Sequence, residues 1–282
     1  MKKRSVTLPV LAAVMLLFFT ACASHQPAAL QPASPFNYDI VDLTQPLTPD
    51  IPIWPGDPAF EVAPWATYEK DQYFINRIAI GEHSGTHWGT PNTFIKGARS
   101  AEMFEARELV VPAVVIDIRE IAEQVADHRF SMDELKAWEK AQGQHVPPGS
   151  LVILFTGWQD KWHDPEAFLG TDKEKALHWP GFGADTAEFL VNERGVVGLG
   201  TDTHGADPGN DTEFGASFAM YDADGMVLEC LTGLHRLPPF GTVLVIGGWP
   251  VKGGSGSPAR VLAFVPSPKD SVAFRSQHDV YR

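Results

Sequence analysis

Three short apolar runs constrain most strongly what this chain can fold into. Val, Ile, Leu and Phe dominate residues 111–118, 150–156 and 196–200. Runs of this length and composition are typical of strands that are buried in a sheet. Further strands are predicted at residues 72–80, 242–246 and 260–264, while residues 226–231 fit either a strand or the end of a helix.

Segments of helical character separate these runs. Ser131 and Glu134 form a capping-box pattern, which predicts a helix over residues 132–142. A second helix is predicted over residues 184–193. Because strands and helices are interspersed and no repeat of 20–50 residues is present, we predict a single mixed α/β domain at residues 38–282.

The first residues have the pattern of a processing signal. A basic start, Lys2 to Arg4, precedes an apolar run of about a dozen residues, which is too short to span a bilayer. Residues 1–21 are therefore predicted to be a lipoprotein signal, with a lipid on Cys22 after cleavage; an ordinary secretory signal is the alternative. Residues 22–37, rich in Ala, Ser, Gln and Pro, are predicted to be a flexible tether.

Charge and cysteine content limit the partners and the location. The formal net charge of −13 argues against nucleic acid and against electrostatic docking to anionic lipid. Contact with a membrane is thus expected only through the lipid on Cys22, and Ala23 in the next position favours the periplasmic side of the outer membrane. If Cys22 carries lipid, Cys230 has no disulfide partner, and its apolar surroundings predict a buried, unreactive thiol.

A pair of histidines at the end of a predicted strand is the main candidate for chemistry. His83 and His87 lie four residues apart, with Gly85 and Thr86 between them. Imidazole is the commonest protein ligand for zinc and similar metals, and a catalytic zinc needs three protein ligands and an open position. A third ligand has to come from another part of the chain.

Glu229 stands out among the carboxylates. It lies among the apolar residues 226–231, and a lone carboxylate is costly to bury unless it is paired or bound to a cation. The alternative is a glutamate on the solvent side of an amphipathic element.

Several other residues have two interpretations. His178 and His204 lie in loops beside strands and either face a pocket or have a structural role. Asp202 follows a predicted strand and either binds a ligand or caps turn amides. Trp54 either covers a sheet edge or lines a substrate pocket.

The segment His83-Ser-Gly-Thr-His87, followed by Pro91 and Phe94, resembles the signature of the kynurenine formamidase-like, or "putative cyclase", family of metal-dependent hydrolases. The family pattern is His-x-Gly-Thr-His-x-Asp-x-Pro-x-His-Phe. Further likenesses are Ile53-Trp54-Pro55-Gly56-Asp57, Gly200-Thr201-Asp202-Thr203 and Gly254-Ser255-Gly256-Ser257-Pro258-Ala259-Arg260. The resemblance implies the family's swivelling β/α cyclase-like fold and activity on amides and cyclic amides of aromatic compounds. It also implies a homo-oligomer.

The resemblance implies roles for four residues of this chain. His83 and His87 correspond to the two histidines that hold one metal in the family, and Glu229 to its metal-binding glutamate. Trp54 corresponds to the tryptophan that lines the substrate pocket. The expected ligand of the pocket is a small aromatic amide or cyclic amide.

Three positions depart from the family pattern. The aspartate that bridges two metals corresponds to Gly89, a histidine ligand of the second metal to Ser217, and the proton-transfer histidine to Thr93. Because two ligands of the second metal are missing, the expectation is one divalent metal, zinc or manganese, in a mononuclear His₂Glu site.

Two functions follow from these matches and departures. The first is a metal-dependent hydrolase of the arylformamidase type, in which His178 or His204 replaces the missing proton-transfer histidine. The second is a catalytically degraded family member that serves as a periplasmic binding or structural lipoprotein. The hydrolase is the working hypothesis.

Overall fold

Strands and short helices alternate along residues 38–266, the part of the chain that the computed structural model describes. The first six strands are β1 (Tyr38–Asp42), β2 (Glu61–Ala66), β3 (Ile75–Ala79), β4 (His87–Gly89), β5 (Val110–Asp117) and β6 (Arg129–Phe130). The other six are β7 (Leu151–Phe155), β8 (Gly181–Phe182), β9 (Gly198–Thr201), β10 (Met226–Glu229), β11 (Thr242–Gly248) and β12 (Gly256–Pro266). The α-helices are α1 (Tyr68–Asp71), α2 (Arg119–Gln124), α3 (Met132–Gln142), α4 (Pro165–Leu169), α5 (Ala184–Phe189) and α6 (Gly215–Asp222).

The predicted signal, the lipid-bearing Cys22 and the tether (residues 1–37) lie outside the described residues, as do residues 267–282. Within residues 38–266, no helix has both the length and the apolar character needed to cross a membrane.

Local sequence signals predicted the helices unequally well. The capping box of α3 is confirmed, because Ser131 Oγ accepts from the backbone N–H of Glu134 and the Glu134 carboxylate accepts from that of Ser131, at 3.3 and 2.8 Å. The helix predicted at residues 184–193 is interrupted: α5 ends at Phe189, and Leu190–Arg194 forms a π-helical turn. The ambiguous segment 226–231 begins with strand β10.

The main sheet closes on itself through the short strand β4. Its order is β1-β12-β11-β5-β7-β9-β10-β4, and β4 also pairs with the start of β12. The strands β5, β7, β9 and β10 run parallel, whereas β4 is antiparallel to both of its neighbours. Seven strands therefore form a closed sheet, and β1 pairs with the far end of β12.

Both faces of the closed sheet are buried, which explains the near-continuous apolar runs. Val115 and Ile153 belong to one apolar cluster, and their neighbours Val114 and Val152 belong to a second that includes residues of α3, α5 and α6. Successive side chains of a strand point to opposite faces, so burial of both faces requires apolar residues at nearly every position. The mixed α/β architecture predicted from the sequence is confirmed.

The hairpin formed by β2 and β3 lies outside the main sheet. It carries large apolar side chains that remain exposed, among them Val62, Ile78 and Trp65, which is 73% exposed. Exposed apolar patches of this kind are typical of interaction surfaces.

Candidate active site

The pairing of β4 with β10 brings predicted site residues together. His87 lies directly opposite Glu229 in this antiparallel pair, so both side chains project from the same face. His87 Nε2 lies 3.2 Å from Glu229 Oε2, and the ring centres of His83 and His87 are 5.2 Å apart. The His87 side chain is 1% exposed and that of Glu229 is 16% exposed. His87 and Glu229 are thus in contact, and the His83 ring packs beside that of His87.

The backbone fixes which nitrogen of His87 faces Glu229. His87 Nδ1 donates to the carbonyl oxygen of Gly85 at 2.9 Å, so a neutral ring presents the lone pair of Nε2 to the carboxylate. Two lone pairs at this distance repel unless a proton or a cation lies between them. Burial lowers the pKa of His87, but the Glu229 carboxylate outweighs this effect and the pKa is raised. Burial likewise acts against ionisation of Glu229, yet His87 and His204 hold its pKa well below the usual range.

His83 belongs to a chain of hydrogen bonds. Its Nε2 lies 2.9 Å from Ser255 Oγ, and that hydroxyl donates to Glu82 Oε2 at 2.7 Å. Because the single hydroxyl proton goes to Glu82, Ser255 accepts the N–H of His83 Nε2, and the lone pair of His83 is on Nδ1. Burial and the neighbouring His87 lower the pKa of His83 to about 4, so the ring is neutral at pH 7.

His204 is buried next to Glu229 and lacks partners. It lies in the loop that follows β9, is 2% exposed and has its Nδ1 3.6 Å from Glu229 Oε2. Neither ring nitrogen has a hydrogen-bond partner within the described part of the chain. The ring packs against Trp54 and Trp179, whose ring centres lie 5.6 and 6.4 Å from it and 5.5 Å from each other. Of the two loop histidines, this one faces the cluster.

A cavity of about 260 Å³ opens over these groups. Aromatic side chains form much of its wall: Trp54, Phe94, Trp179, Phe214 and Tyr221. His83, His204 and Glu229 supply polar groups to the same cavity. A wall that combines aromatic rings with convergent polar groups is typical of a site for a small molecule, and Trp54 lines it.

Tyr221 occupies the space that a side chain at position 89 would need. A Cβ on Gly89 would overlap the hydroxyl of Tyr221, which projects from α6. Burial raises the pKa of Tyr221, so its phenol stays protonated and remains a hydrogen-bond donor. Thr93 Oγ1 donates to the backbone oxygen of Ser255 at 2.9 Å and is no proton acceptor near neutral pH.

Ser217 and two buried aspartates have structural partners. Ser217 Oγ donates to Asp207 Oδ2 at 2.5 Å, and Asp207 also accepts from the backbone N–H groups of Ala216 and Ser217 at the start of α6. Burial raises the pKa of Asp207 to about 6. Asp202 accepts from the backbone N–H groups of Thr156 and Gln159, so of its two interpretations the structure shows the cap.

His178 does not join the cluster. Its Nδ1 lies 2.8 Å from Asp127 Oδ2 and its Nε2 3.4 Å from Asp172 Oδ2. The ring is 29% exposed and does not line the cavity. Proton transfer by His178 therefore has no geometric support, because carboxylates from two neighbouring loops already contact both of its nitrogens. The sequence around His178 contains no sign of the contact with Asp127.

Two residues at the site were missed by sequence reasoning: Tyr221, which lines the cavity, and Ser255, which contacts His83. Tyr221 follows Ser217 by four residues, so both lie on one face of α6, and a small residue at position 89 is a signal for a larger neighbour. Ser255 lies in a glycine-rich segment that resembles a phosphate loop only superficially, and its partner His83 comes from far along the chain. Cys230, by contrast, is a buried free thiol as predicted, and burial raises its pKa.

Comparison with known proteins identifies the family of this chain. Residues 41–208 match the model of a family described as "Putative cyclase". The chain belongs to this cyclase family. The isatin hydrolase of Roseibium aggregatum is 31% identical over 245 residues, which are 81% of this chain and 92% of the relative. The kynurenine formamidase of Erythrobacter litoralis is 28% identical over 193 residues, 68% of this chain and 78% of the relative.

Solved structures of cyclase-family proteins share the fold. Isatin hydrolase A from Ralstonia solanacearum superposes with a TM-score of 0.76 at 33% identity, covering 81% of this chain and 92% of that one. The Labrenzia aggregata enzyme, bound to benzyl benzoate, gives a TM-score of 0.77 at 30% identity and covers 82% and 94%. The resemblance and the cyclase-like fold predicted from the sequence are confirmed, and these relatives are hydrolases by name.

The donor types in the cluster are those that bind zinc and similar divalent metals. Imidazole and carboxylate are ligands of zinc, and His87 Nε2 lies 3.2 Å from Glu229 Oε2. Over residues 38–266, no group of three or more His, Cys, Asp or Glu satisfies metal-site geometry as a complete set. The fit to a metal is therefore one of donor type, and His204 adds two buried nitrogens without a partner among these residues.

Proposed function

We propose that the protein hydrolyses an amide or cyclic-amide bond of a small aromatic compound with the help of one divalent metal, zinc or manganese. The observation that carries this proposal is the meeting of Glu229 with His87 and His204 beneath an aromatic cavity. The hydrolase relatives support the reaction class.

A cyclic amide of the isatin type is our first choice of substrate. The isatin hydrolase relative aligns over more of this chain than the kynurenine formamidase, and at higher identity. A related isatin hydrolase structure contains the product analogue thioisatinate, a flat aromatic compound. The aromatic wall of the cavity suits such a ring, since flat rings pack well against Trp and Phe side chains. An arylformamide is the second choice.

His87 and Glu229 would hold the cation together with a third imidazole, His83 or His204. When bound, the cation polarises the substrate carbonyl and activates water for attack. Gly89, where the family pattern has an aspartate, would add no carboxylate to such a site.

The chain's own side chains supply binding and proton transfer. The aromatic wall orients the substrate ring and excludes water. Tyr221, held in its protonated form, donates a hydrogen bond toward a substrate oxygen. Thr93 cannot accept the proton of the attacking water. An imidazole that is not bound to the cation accepts this proton and passes it to the leaving nitrogen.

The test is hydrolysis by purified protein loaded with zinc or manganese. Ring opening of isatin, followed by absorbance, and release of formate from an N-formyl aromatic amide are measured before and after chelation. We expect turnover that a chelator abolishes and metal restores, and a loss of at least about 100-fold in His87→Ala. His178→Ala is the matched control and keeps wild-type activity. Absence of turnover of both substrates by metal-loaded wild type would contradict the proposal.

A second candidate is a binding protein that has lost catalysis. The hydroxyl of Tyr221 in place of a carboxylate at position 89, and Thr93 in place of the proton-transfer histidine, favour it. In that case calorimetry detects binding of isatin or an aryl amide without product formation.

Location and assembly are proposals that rest on the sequence. We propose attachment to the periplasmic side of the outer membrane by a lipid on Cys22. In cells, Cys22→Ser then moves the protein from the membrane fraction to the soluble fraction.

We also propose a homo-oligomer, for which the exposed apolar side chains of the β2–β3 hairpin offer a surface. Light scattering of wild type and of Trp65→Ser/Ile78→Ser tests this, with a smaller particle expected for the variant.

A further inference from the structure

We infer that Thr86 is a positioning residue of this site. Its hydroxyl holds the backbone turn at Cys230, and this turn places the carboxylate of the preceding residue, Glu229, against His87. The inference rests on the proposed function, in which the contact between Glu229 and His87 belongs to the reacting site. It assigns a role to the threonine between the two histidines and to the buried thiol, neither of which takes part in the chemistry itself.

The backbone of Cys230 has an unusual conformation. Its φ of +56° lies in the left-handed region, which residues other than glycine rarely enter because Cβ crowds a carbonyl oxygen. Cys230 is buried and directly follows Glu229, the last residue of β10. A residue in such a conformation persists only where its surroundings hold it there, and residues of this kind are frequent at functional sites.

Three hydrogen bonds hold this turn. The backbone N–H of Cys230 donates to the backbone oxygen of Thr203 at 2.9 Å, and the Cys230 carbonyl oxygen accepts from Thr86 Oγ1 at 2.7 Å. The Thr86 hydroxyl in turn accepts from the backbone N–H of Gln45 at 2.9 Å. Thr86 and Gln45 are both buried. Because a hydroxyl both donates and accepts, this one side chain joins the turn to two other segments of the chain.

The register of β4 against β10 connects this turn to the site. His87 lies opposite Glu229, so the next pair along the two strands is Thr86 and Cys230. The positive φ turns Cys230 out of the ladder, and its carbonyl oxygen is directed at the hydroxyl of Thr86. The bond from Thr86 to Cys230 is therefore adjacent to the contact of His87 Nε2 with Glu229 Oε2, which measures 3.2 Å. Thr86 is not among the residues that line the cavity, so it acts through the backbone.

The side chain of Cys230 fixes the turn as well. It is buried in an apolar cluster that also contains Trp158, Phe168 and Trp179. The N–H, the carbonyl and the side chain of Cys230 are thus all held in place. Because adjacent residues share a planar peptide group, the direction in which the Glu229 side chain leaves β10 is fixed with them.

Loss of the Thr86 hydroxyl would leave two buried groups without this partner, the carbonyl of Cys230 and the N–H of Gln45. Unpaired buried polar groups are costly, so the turn should relax and move Glu229 relative to His87. A displacement of about 1 Å at reacting groups costs on the order of 100-fold in rate. The aromatic wall that binds the substrate ring is unchanged, so binding should be affected less than turnover.

Thr86→Val tests the inference because it removes the hydroxyl and keeps the shape of the side chain. Hydrolysis of isatin by metal-loaded, full-length wild type and variant is measured. We expect kcat to fall at least about 10-fold while KM changes by less than about 3-fold. Thr86→Ser keeps the hydroxyl and should recover most of the loss.

Thr186→Val is the matched control. Thr186 is buried, and its Oγ1 donates to the backbone oxygen of Phe130 at the same 2.7 Å, but it lies on α5 and does not line the cavity. Thr186→Val should lower the stability of the fold and leave kcat at the wild-type value. An equal fall of kcat in Thr86→Val and Thr186→Val overturns the inference.

NMR of metal-free protein labelled with ¹⁵N in histidine gives a measurement that does not depend on turnover. The ring signals of His87, identified by their loss in His87→Gln, report on the contact with Glu229. We expect these signals to shift in Thr86→Val and to stay at their wild-type positions in Thr186→Val. If Thr86→Val does not fold, Thr86→Ala takes its place, since its smaller side chain leaves room for water at the unpaired groups.

The two measurements separate this inference from the proposed function. Ring signals of His87 that do not move when the Thr86 hydroxyl is removed overturn the inference and leave the proposed function intact. Wild type without turnover contradicts the proposed function, and the NMR comparison then decides the inference by itself.

Discussion

Two histidine–carboxylate groups of this protein contain the same residue types and differ in their surroundings. At the protein surface, His178 has a carboxylate at each ring nitrogen, Asp127 and Asp172. In the cavity, His87 and His204 share one oxygen of Glu229, and both nitrogens of His204 are without partners in the described structure. In the first group both nitrogens of the histidine have a partner, whereas in the second His204 has none among the described residues.

Burial alone does not explain this difference. Glu139 is as buried as the cavity residues, yet it accepts from both Nε and Nη2 of Arg194 and from the backbone N–H of Val146. His145 is a further partner of this carboxylate, with its Nδ1 2.8 Å from Glu139 Oε2. What distinguishes the cavity cluster is therefore the combination of burial with unsatisfied donors and acceptors, which is how functional sites depart from structural ion pairs.

The largest expected effect separates the two groups directly. Glu229→Gln keeps the shape of the side chain and removes its charge, so metal content should fall from about one per chain to near zero and hydrolysis by at least about 100-fold. Asp127→Asn makes the same change beside His178 and should leave metal content and hydrolysis unchanged. Measurement of metal by mass spectrometry and of isatin ring opening checks this. Equal losses of metal and of hydrolysis in Glu229→Gln and Asp127→Asn would show that the two histidine–carboxylate groups do not differ in function.

The next effect concerns the buried Glu139 and its partner Arg194. Arg194→Ala leaves Glu139 buried without its main partner, and we expect a loss of about 3 kcal/mol in the free energy of unfolding with metal binding intact. Arg119→Ala, which removes a half-exposed pair with Asp117, should cost less than about 1 kcal/mol. Urea unfolding at pH 7 measures both. A loss of metal in Arg194→Ala would show that the two regions are coupled.

The Glu139–Arg194 pair also predicts how the stability of the fold changes at acidic pH. Burial raises the pKa of Glu139, but Arg194 and the other partners outweigh it and lower the pKa to about 2. Because the folded pKa lies below the unfolded value of about 4.5, the stabilisation is present above about pH 4.5 and is lost as the pH falls toward 2. Arg194→Ala should therefore lose less stability than wild type between pH 5 and pH 3.

A smaller effect tests how tightly the cavity is packed. In Gly89→Ala the new methyl overlaps the Tyr221 hydroxyl, and we expect a loss of roughly 1–3 kcal/mol. Adding Tyr221→Phe, which removes the hydroxyl, should recover part of that loss, and a double-mutant cycle by chemical unfolding measures the coupling. If the two changes add without coupling, Tyr221 does not occupy the space beside position 89.

The smallest effect is at the surface pair. Asp127 raises the pKa of His178, so the folded pKa lies above the unfolded value of about 6.5. The stabilisation from this pair is complete below about pH 6.5 and is lost as the pH rises through the folded pKa. Asp127→Asn should lower stability by less than about 1 kcal/mol at pH 6 and have no measurable effect at pH 9. Thermal unfolding at the two pH values checks this.

The predictions from sequence succeeded where the physical cause is local. The capping box of α3 lies within four residues, and the apolar runs of β5 and β7 reflect burial of both sheet faces at each position. The helix at residues 184–193 was predicted too regular, because a π-helical turn at Leu190–Arg194 depends on how the segment packs. The histidine pair and Glu229 were predicted as site residues from their chemistry and from a family pattern, and the structure brings His87 and Glu229 into contact.

By itself, then, the sequence determined the alternation of elements, the family and the donor types, since these follow from short-range patterns and residue chemistry. Only the tertiary structure decided that His204 faces Glu229 while His178 is paired at the surface, and that Tyr221 occupies the space beside Gly89. Those relations depend on the register of β4 against β10 and β12 and on the packing of α6, which join residues far apart in the chain. Long-range register is fixed by how a whole core packs, so no local pattern encodes it.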